Sequence, residues 1–296
     1  MKKVLITGID SFTGIHLSRY LKECGYDVYG TSLFKSDDKI YKCDITNKED
    51  IIKILLSIKV DYLIHLSGIS FVGHEKNDDF YKVNTIGTIN ILDSFLDLGL
   101  CPQKIIVASS ATIYGNQKIT ILDESLCPNP INHYGASKYA MECLCKDYFK
   151  KLPLIITRPF NYTGIGQSNH FLIPKIVSHY QENKKNIQLG NLDIIREFND
   201  INFVCEVYKR LLECDFENEI VNIATNRGIK LLDIISMMNK ISNYDIKVDV
   251  NPSFVRKNEI KELTGSSVKL FKMIGTISQI NFEETLKNML KNSRGI

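Results

Sequence analysis

The sequence predicts an α/β protein, in which a doubly wound parallel sheet carries helices on both faces and a smaller lobe follows. The first observation is an alternation of short apolar runs and helical stripes up to residue 160, the pattern of consecutive βαβ units. The second is a loop-rich stretch from 160 to 200, with Gly164, Gly166 and Gly190. The chain has 296 residues, 44% of them hydrophobic and 24% charged, which is enough to bury a core of this size.

The predicted strands are the short apolar runs. They span 3–7, 27–33, 61–66, 104–109, 154–158 and 219–224. We therefore predict a sheet domain from residues 1–160, to which a strand near 219–225 returns, and a second lobe formed mainly by 161–296.

The predicted helices follow apolar residues at helical spacing. The first has its stripe at 17, 20, 21 and 24 and ends at Gly25. A capping-box pattern, Thr46-Asn47-Lys48-Glu49, opens a second helix that runs to about Ser57. Further helices are predicted at 83–98 and 134–149, and around apolar stripes at 231–238 and 282–290.

Charge and composition exclude several classes of protein. Lys and Arg number 37 against 34 Asp and Glu, a net charge of +3, which does not favour nucleic acid as a partner. No stretch reaches the roughly 20 apolar residues that a membrane helix needs. The eight cysteines are scattered without a C-x-x-C pair. We expect reduced thiols in a cytoplasmic protein and no metal site.

A glycine loop follows the first strand. Gly8 and Gly14 occupy the first and last positions of a G-x-x-G-x-x-G spacing, and Ser11 stands at the middle one. Between a strand and an amphipathic helix, this spacing is typical of a Rossmann loop that binds a dinucleotide pyrophosphate, and a plain βα turn is the alternative. The serine is expected to widen the loop slightly and to alter cofactor affinity.

The end of the second strand bears on the type of cofactor. An acid there would bind a ribose 2′-hydroxyl and select NAD. The segment 30–35 has no carboxylate, whereas Ser32 and Lys35 could accept a 2′-phosphate, so the sequence favours NADP(H), with NAD(H) as the alternative. Asp44 could accept a hydrogen bond from the adenine amino group, or be an ordinary turn aspartate.

Two later segments carry groups for acid-base chemistry. Tyr134 and Lys138 lie four residues apart in a predicted helix, so the ammonium is expected to lower the pKa of the phenol. Ser110 follows the strand at 104–109, at the carboxyl edge where open α/β sheets place their sites. A solvated helix face and an ordinary turn are the alternatives for the two segments.

Together these motifs resemble those of the extended short-chain dehydrogenases/reductases that act on nucleotide sugars. The resemblance rests on 7–14, 109–115 and the Tyr134/Lys138 pair, and continues through 158–167, 190–198 and 251–256. The later segments are most similar to GDP-6-deoxy-4-keto-D-mannose reductases and to relatives that reduce other nucleotide-linked 4-keto-6-deoxy sugars.

The resemblance implies roles for individual residues. Ser110, Tyr134 and Lys138 would be the catalytic triad. The residues implied at the cofactor, besides Tyr134, Lys138 and the glycine loop, are Phe12, Thr13, Asp44, Ile45, Leu66, Ser67 and Gly68. Those implied at the sugar nucleotide are Thr112, Asn161, Arg196 and Arg256. Taken from sequence alone, either arginine could instead be a surface ion-pair partner.

The expected reaction is reduction of the C4 ketone of a nucleotide-linked 4-keto-6-deoxyhexose, in deoxysugar and polysaccharide biosynthesis. Related dehydratases carry an acid between the catalytic Ser/Thr and the Tyr-Gly pair, where this chain has Ala111, Thr112 and Ile113. The alternatives are a nucleotide-sugar 4-epimerase with tightly bound NAD and a non-catalytic NADP-binding sensor. Relatives dimerise through helices near 84–98 and 134–149, which implies a homodimer.

Overall fold

A computed structural model describes residues 1–255, 259–278 and 280–292. Its strands are β1 Lys3–Thr7, β2 Asp27–Ser32, β3 Ile40–Lys42, β4 Tyr62–His65, β5 Lys104–Ala108, β6 Ile121–Leu122, β7 Leu154–Pro159, β8 Tyr162–Thr163, β9 Asn186–Leu189, β10 Ile195–Glu197, β11 Asn199–Asp200, β12 Glu219–Ile223, β13 Gly228–Lys230, β14 Lys247–Val250 and β15 Glu262–Gly265.

The helices are α1 Phe12–Glu23, α2 Lys48–Ser57, α3 Asn77–Phe80, α4 Thr88–Asp97, α5 His133–Cys145, α6 Leu172–Gln181, α7 Ile201–Glu213, α8 Leu231–Ser242, α9 Val268–Ile274 and α10 Phe282–Lys291. A π-helical segment, Tyr81–Gly87, joins α3 to α4. No helix in the described ranges combines the length and apolar character that a membrane crossing requires.

A parallel sheet of seven strands forms the centre, in the order β12-β7-β5-β4-β1-β2-β3. The chain winds outward from β1 through β3, then returns to place β4 on the other side of β1. Thr7 at the end of β1 therefore pairs with Thr31 on one side and with His65 on the other. This change of direction opens a crevice at the carboxyl ends of the strands, where ligands bind in such sheets.

Helices cover both faces of the sheet, which confirms the predicted fold class. On one face, apolar residues of α1, α7 and α9 pack on the sheet, and on the other those of α2, α4 and α5 do. A separate apolar core joins α6, α8 and α10 with β9 and β14. Residues beyond 160 thus contribute to several cores, because α7 and α9 pack on the sheet and β12 is one of its strands. The division at 160 remains a prediction.

The structure corrects two local predictions. Asn47, not Thr46, caps α2, because its side chain accepts a hydrogen bond from the Glu49 amide, while the Thr46 hydroxyl donates to Asp44 at 2.7 Å. The stretch from 160 to 200 is less loop-rich than predicted, since it contains α6, whose apolar side chains pack into the second core.

Candidate active site

The loop between β1 and α1 makes a close turn at the amino end of the helix. Gly8 has a φ of +68°, a conformation that favours glycine, and a Cβ there would lie 3.1 Å from Ser67 Oγ. A Cβ on Gly14 would lie 2.4 Å from the Gly8 carbonyl oxygen. Loop and helix backbones therefore meet without side chains between them, as a pyrophosphate-binding turn requires.

Ser11, where the motif has its middle glycine, is the N-cap of α1. Its hydroxyl accepts a hydrogen bond from the Gly14 amide at 3.1 Å, and its φ of −70° is open to any residue. The serine therefore supplies a cap at a position whose backbone does not demand glycine. The first turn of α1 carries no acidic side chain, so the helix end remains favourable for an anion.

Thr13 and Phe12 both contact Tyr162, which the sequence analysis did not single out. The Thr13 hydroxyl and the Tyr162 phenol are 2.7 Å apart, and the Phe12 ring stacks on Tyr162 with centroids 6.2 Å apart. Burial raises the pKa of Tyr162 to about 12. Its position directly after Asn161, a predicted substrate residue, was the available signal. Tyr162 thus ties the glycine loop to the segment after β7.

The end of β2 differs from its prediction. Ser32 is buried and its hydroxyl donates to Asp10 Oδ2 at 2.6 Å, so a carboxylate from the glycine loop stands where the strand itself offers none. Ser32 Oγ also accepts from the Lys35 amide at 3.0 Å, and the Lys35 side chain is exposed. Sequence reasoning overlooked Asp10 because it searched for an acid only after the strand.

Asp44 and Ile45 follow β3. One carboxylate oxygen of Asp44 accepts hydrogen bonds from both the amide and the hydroxyl of Thr46, at 2.9 and 2.7 Å. Ile45 is buried in the core on the α2 side of the sheet. Asp44 therefore has the contacts of a turn aspartate, and its role at the adenine remains a prediction.

Leu66, Ser67 and Gly68 continue from β4 into the crevice. The Leu66 and Ser67 amides both donate to Thr7 Oγ1 at 3.1 Å, which holds this segment beside the glycine loop. A Cβ on Gly68 would lie 2.8 Å from Asn84 Oδ1 and 3.4 Å from Lys138 Nζ. The absence of a side chain at Gly68 thus lets the backbone pass close to the lysine.

Asn84 is a second residue that the sequence analysis did not select. Its side chain accepts from the Ile69 amide at 2.8 Å and donates to Ser137 Oγ at 3.1 Å. It is fully buried within the π-helical segment. A polar residue in the middle of an apolar helical stretch was the signal. Asn84 fixes the segment after β4 against α5.

The structure brings Ser110, Tyr134 and Lys138 together at the carboxyl edge of the sheet. Tyr134 and Lys138 lie in the first half of α5, which begins at the Asn132 cap, and both are buried. Lys138 Nζ donates to the Ala108 carbonyl at 2.7 Å, at the end of β5. The three side chains therefore lie where the end of β5 meets the first turns of α5.

Ser110 is oriented by its neighbour Thr112. Ser110 Oγ accepts from the Thr112 amide at 3.2 Å and from the Thr112 hydroxyl at 2.9 Å. Its own proton is left to donate, and its hydroxyl interacts with the Tyr134 phenol. The serine is thus arranged as a hydrogen-bond donor beside the tyrosine.

Burial is the main cause of the pKa shifts of Tyr134 and Lys138. It raises the pKa of Tyr134, and the Ser110 hydroxyl acts in the opposite direction. Burial lowers the pKa of Lys138 to about 8. The direction for Tyr134 is opposite to that expected from the sequence, because desolvation disfavours the phenolate and the Lys138 amine is bonded to a backbone carbonyl. The phenol is therefore held as a proton donor.

The predicted substrate residues differ in burial and in their contacts. Thr112 is half-buried beside Ser110, and Asn161 is half-buried at the end of β7. Arg196 is buried and donates to Glu259 at 2.8 Å and to the Lys261 carbonyl at 3.2 Å. These bonds direct it into its own lobe, so its role at a diphosphate remains a prediction. Arg256 lies outside the described residues.

These residues fit a nicotinamide dinucleotide. The Gly8/Gly14 cradle at the amino end of α1 suits a pyrophosphate, and the Lys138 amine at Gly68 can donate to a ribose hydroxyl. Among the described residues, no group of three or more His, Cys, Asp or Glu side chains is arranged to hold a metal ion. This sheet, with a glycine loop and a buried Tyr-x-x-x-Lys pair beside a serine, defines an extended short-chain dehydrogenase/reductase.

Comparison with known proteins agrees with that class. The family model described as GDP-mannose 4,6 dehydratase matches residues 5–289. The chain therefore belongs to this family, whose relatives are NAD(P)-dependent nucleotide-sugar oxidoreductases. It is 36% identical, over 97% of its length and 98% of the relative's, to a GDP-6-deoxy-D-talose 4-dehydrogenase from Aggregatibacter actinomycetemcomitans.

Two solved structures extend the comparison. A "putative epimerase" from Burkholderia cenocepacia J2315 is 35% identical, with a TM-score of 0.92 over 98% of this chain and 97% of that one. RMD from Pseudomonas aeruginosa, complexed with NADPH, has a TM-score of 0.86 over 99% and 97% of the two chains. Its 23% identity supports the fold alone.

Proposed function

We propose that the protein reduces the C4 ketone of a nucleotide-linked 4-keto-6-deoxyhexose, with a GDP sugar as the first candidate. The observation that carries this proposal is the buried Tyr134 phenol, with Ser110 against it and Lys138 one helical turn along. The 36% identity to a GDP-6-deoxy-D-talose 4-dehydrogenase supports redox chemistry at C4 and the choice of GDP. The dTDP and CDP sugars remain the alternatives for the nucleotide.

When bound, a reduced nicotinamide supplies the hydride. Tyr134, whose phenol stays protonated at neutral pH, donates its proton to the C4 oxygen as negative charge develops there. Ser110 donates a hydrogen bond to the same oxygen. Lys138, charged below a pKa of about 8, lies one helical turn from Tyr134 and would hold the cofactor ribose.

The turn after Ser110 argues against dehydration. Ala111 and Ile113 are buried in the short 3₁₀ turn Ala111–Tyr114, and Thr112 bonds to Ser110. None of these side chains can exchange a proton with a sugar carbon at neutral pH. We therefore place the chain among the reductases of its family, not among the dehydratases.

A 4-epimerase is the second candidate, because the Burkholderia cenocepacia structure described as a "putative epimerase" is 35% identical. The same three side chains would serve an epimerase. What separates the two is exchange of the cofactor, since an epimerase keeps its dinucleotide and regenerates it in each cycle. Absorbance of the freshly purified protein, before and after gel filtration, distinguishes a retained dinucleotide from an exchanging one.

The experiment for the main proposal is a panel of 4-keto-6-deoxy sugar nucleotides with GDP, dTDP or CDP. Each is mixed with the protein and with NADH or NADPH, and the absorbance band of the reduced nicotinamide is followed. We expect stoichiometric loss of that band with a GDP sugar. An unchanged band with every 4-keto sugar, together with interconversion of C4-epimeric hexose nucleotides supplied in a separate assay, would instead identify the epimerase.

A homodimer is part of the proposal, as is a cytoplasmic location. Ile86 is 51% exposed and Leu144 is 43% exposed, and they lie on the two helical regions that the resemblance implies for dimerisation. Pairing of two copies through these regions would cover both side chains.

The proposed function also needs a choice of dinucleotide, NADP(H) or NAD(H). The sequence favours NADP(H), because the segment 30–35 at the end of β2 has no carboxylate. The Asp10 carboxylate beside Ser32 removes the basis for that preference, and we therefore propose NAD(H).

A further inference from the structure

The glycine loop is seated on the end of β2. The Ile9 amide donates to the Thr31 carbonyl at 3.1 Å. A Cβ on Gly30 would lie 2.5 Å from the Ile9 side chain, so the lack of one lets Ile9 pack onto the strand. The residue that follows, Asp10, is thereby carried to the strand end.

The Asp10 carboxylate is held there by a directed hydrogen bond. Ser32 is 2% exposed, and its Oγ accepts from the amides of Phe34 and Lys35 at 3.1 and 3.0 Å. Its single proton therefore goes to Asp10 Oδ2, at 2.6 Å. Asp10 itself is only half-buried, and within the described part of the chain no hydrogen bond reaches its other oxygen. That oxygen remains an open acceptor.

We infer that Asp10 accepts a hydrogen bond from the 2′-hydroxyl of the adenosine ribose and makes this protein selective for NAD(H) over NADP(H). A carboxylate at the end of the second strand accepts a hydrogen bond from a ribose 2′-hydroxyl. The same carboxylate repels a 2′-phosphate. Here the acid comes from the glycine loop rather than from the strand. The inference rests on the proposed function only in requiring that a nicotinamide dinucleotide binds.

Lys35 does not offset this effect. Its backbone amide is fixed to Ser32, but its side chain is exposed, so its charge is screened by water. The Asp10 carboxylate stands nearer the strand, on a backbone anchored to β2. We therefore expect the acid to decide the preference.

The test is calorimetric titration with NAD⁺ and with NADP⁺ in the absence of sugar, so that its readout does not depend on turnover. Any nucleotide that copurifies is first identified by mass and removed. The wild type should bind NAD⁺ at least tenfold more tightly than NADP⁺. Any dinucleotide that copurifies with it should be NAD. Asp10→Asn, which keeps the shape but loses the charge, should bring the two affinities within about threefold, mainly by improving NADP⁺ binding.

Asp38→Asn is the matched control, since Asp38 is an exposed acid on the loop after β2. It should leave the NAD⁺/NADP⁺ ratio within twofold of the wild type. Tighter binding of NADP⁺ by the wild type, or an unchanged ratio in Asp10→Asn, would overturn the inference and leave the proposed reduction standing. Binding of neither dinucleotide would overturn both.

Discussion

The Lys138 ammonium donates a 2.7 Å hydrogen bond to the Ala108 carbonyl, and this bond anchors α5 to the end of β5. Ser110 lies two residues after Ala108. The bond therefore fixes the position of the lysine relative to the serine, although the two belong to different elements. Lys138 is 5% exposed, and burial lowers its pKa to about 8. The site therefore keeps a cation at a cost in folding free energy.

That cost predicts a pH-dependent stability. A free lysine titrates at 10.5, so a charged Lys138 destabilises the fold by about 3 kcal/mol at neutral pH. Because the unfolded chain binds more protons between pH 8 and 10.5, the free energy of unfolding should gain this amount as pH rises through that window. Lys138→Met should lack the gain. Urea unfolding from pH 7 to 10.5 measures the difference, and parallel curves for the two proteins would refute the assignment.

Tyr134→Phe should remove the proton donor. We expect kcat to fall by about 10²- to 10⁴-fold, while the affinity for NADH stays near that of the wild type. Tyr162→Phe is the matched control, because it removes another phenol, on a half-buried side chain bonded to Thr13 of the glycine loop. It should weaken cofactor binding and leave kcat largely intact. Turnover near the wild-type rate in Tyr134→Phe would show that another group supplies the proton.

A buried ion pair, Arg158 with Glu142, lies beside the candidate active site. Arg158 Nη2 lies 2.7 Å from Glu142 Oε2, and Arg158 Nη1 donates to the Tyr114 phenol at 2.9 Å. Arg158 and Glu142 are 3% and 1% exposed. The pair thus joins α5 and β7 to the turn after Ser110.

Arg158→Met should therefore be strongly destabilising. It leaves the Glu142 charge buried without a partner, which costs about 3–5 kcal/mol. The double variant Glu142→Gln/Arg158→Met should recover part of this loss, because no buried charge remains. Urea unfolding of the two variants tests the pair. A loss below about 1 kcal/mol in the single variant would mean that water reaches Glu142.

Ser11 offers a test of the glycine loop. Ser11→Ala should cost about 1 kcal/mol by removing the cap on the Gly14 amide, whereas Ser11→Gly should cost only about a few tenths. Both should bind the dinucleotide within about twofold of the wild type, because the φ of −70° is kept. Thermal unfolding and calorimetry provide the two readouts. A large loss of affinity in Ser11→Gly would show that the hydroxyl itself contacts the cofactor.

Local spacing was enough to predict the main elements of the site. The strand, glycine loop and helix from 3 to 23, and the Tyr134/Lys138 pair, depend on neighbours in sequence. The Ser32–Asp10 bond joins residues 22 apart through the packing of the loop on β2, and no local pattern reports it. The raised pKa of Tyr134 likewise comes from burial by several elements. Arg196 turns toward Glu259 through pairing of β10 with β15, which spacing did not reveal.

Hydride transfer to the sugar is the most direct measurement of the central claim. The protein is given NADH deuterated at the transferable position and a GDP-linked 4-keto-6-deoxyhexose, and the product is analysed by mass spectrometry and NMR. The account predicts a 6-deoxyhexose alcohol with one deuterium at C4 and one NADH consumed per sugar. A C4 alcohol without deuterium, or recovery of the 4-keto sugar with no NADH consumed, would contradict it.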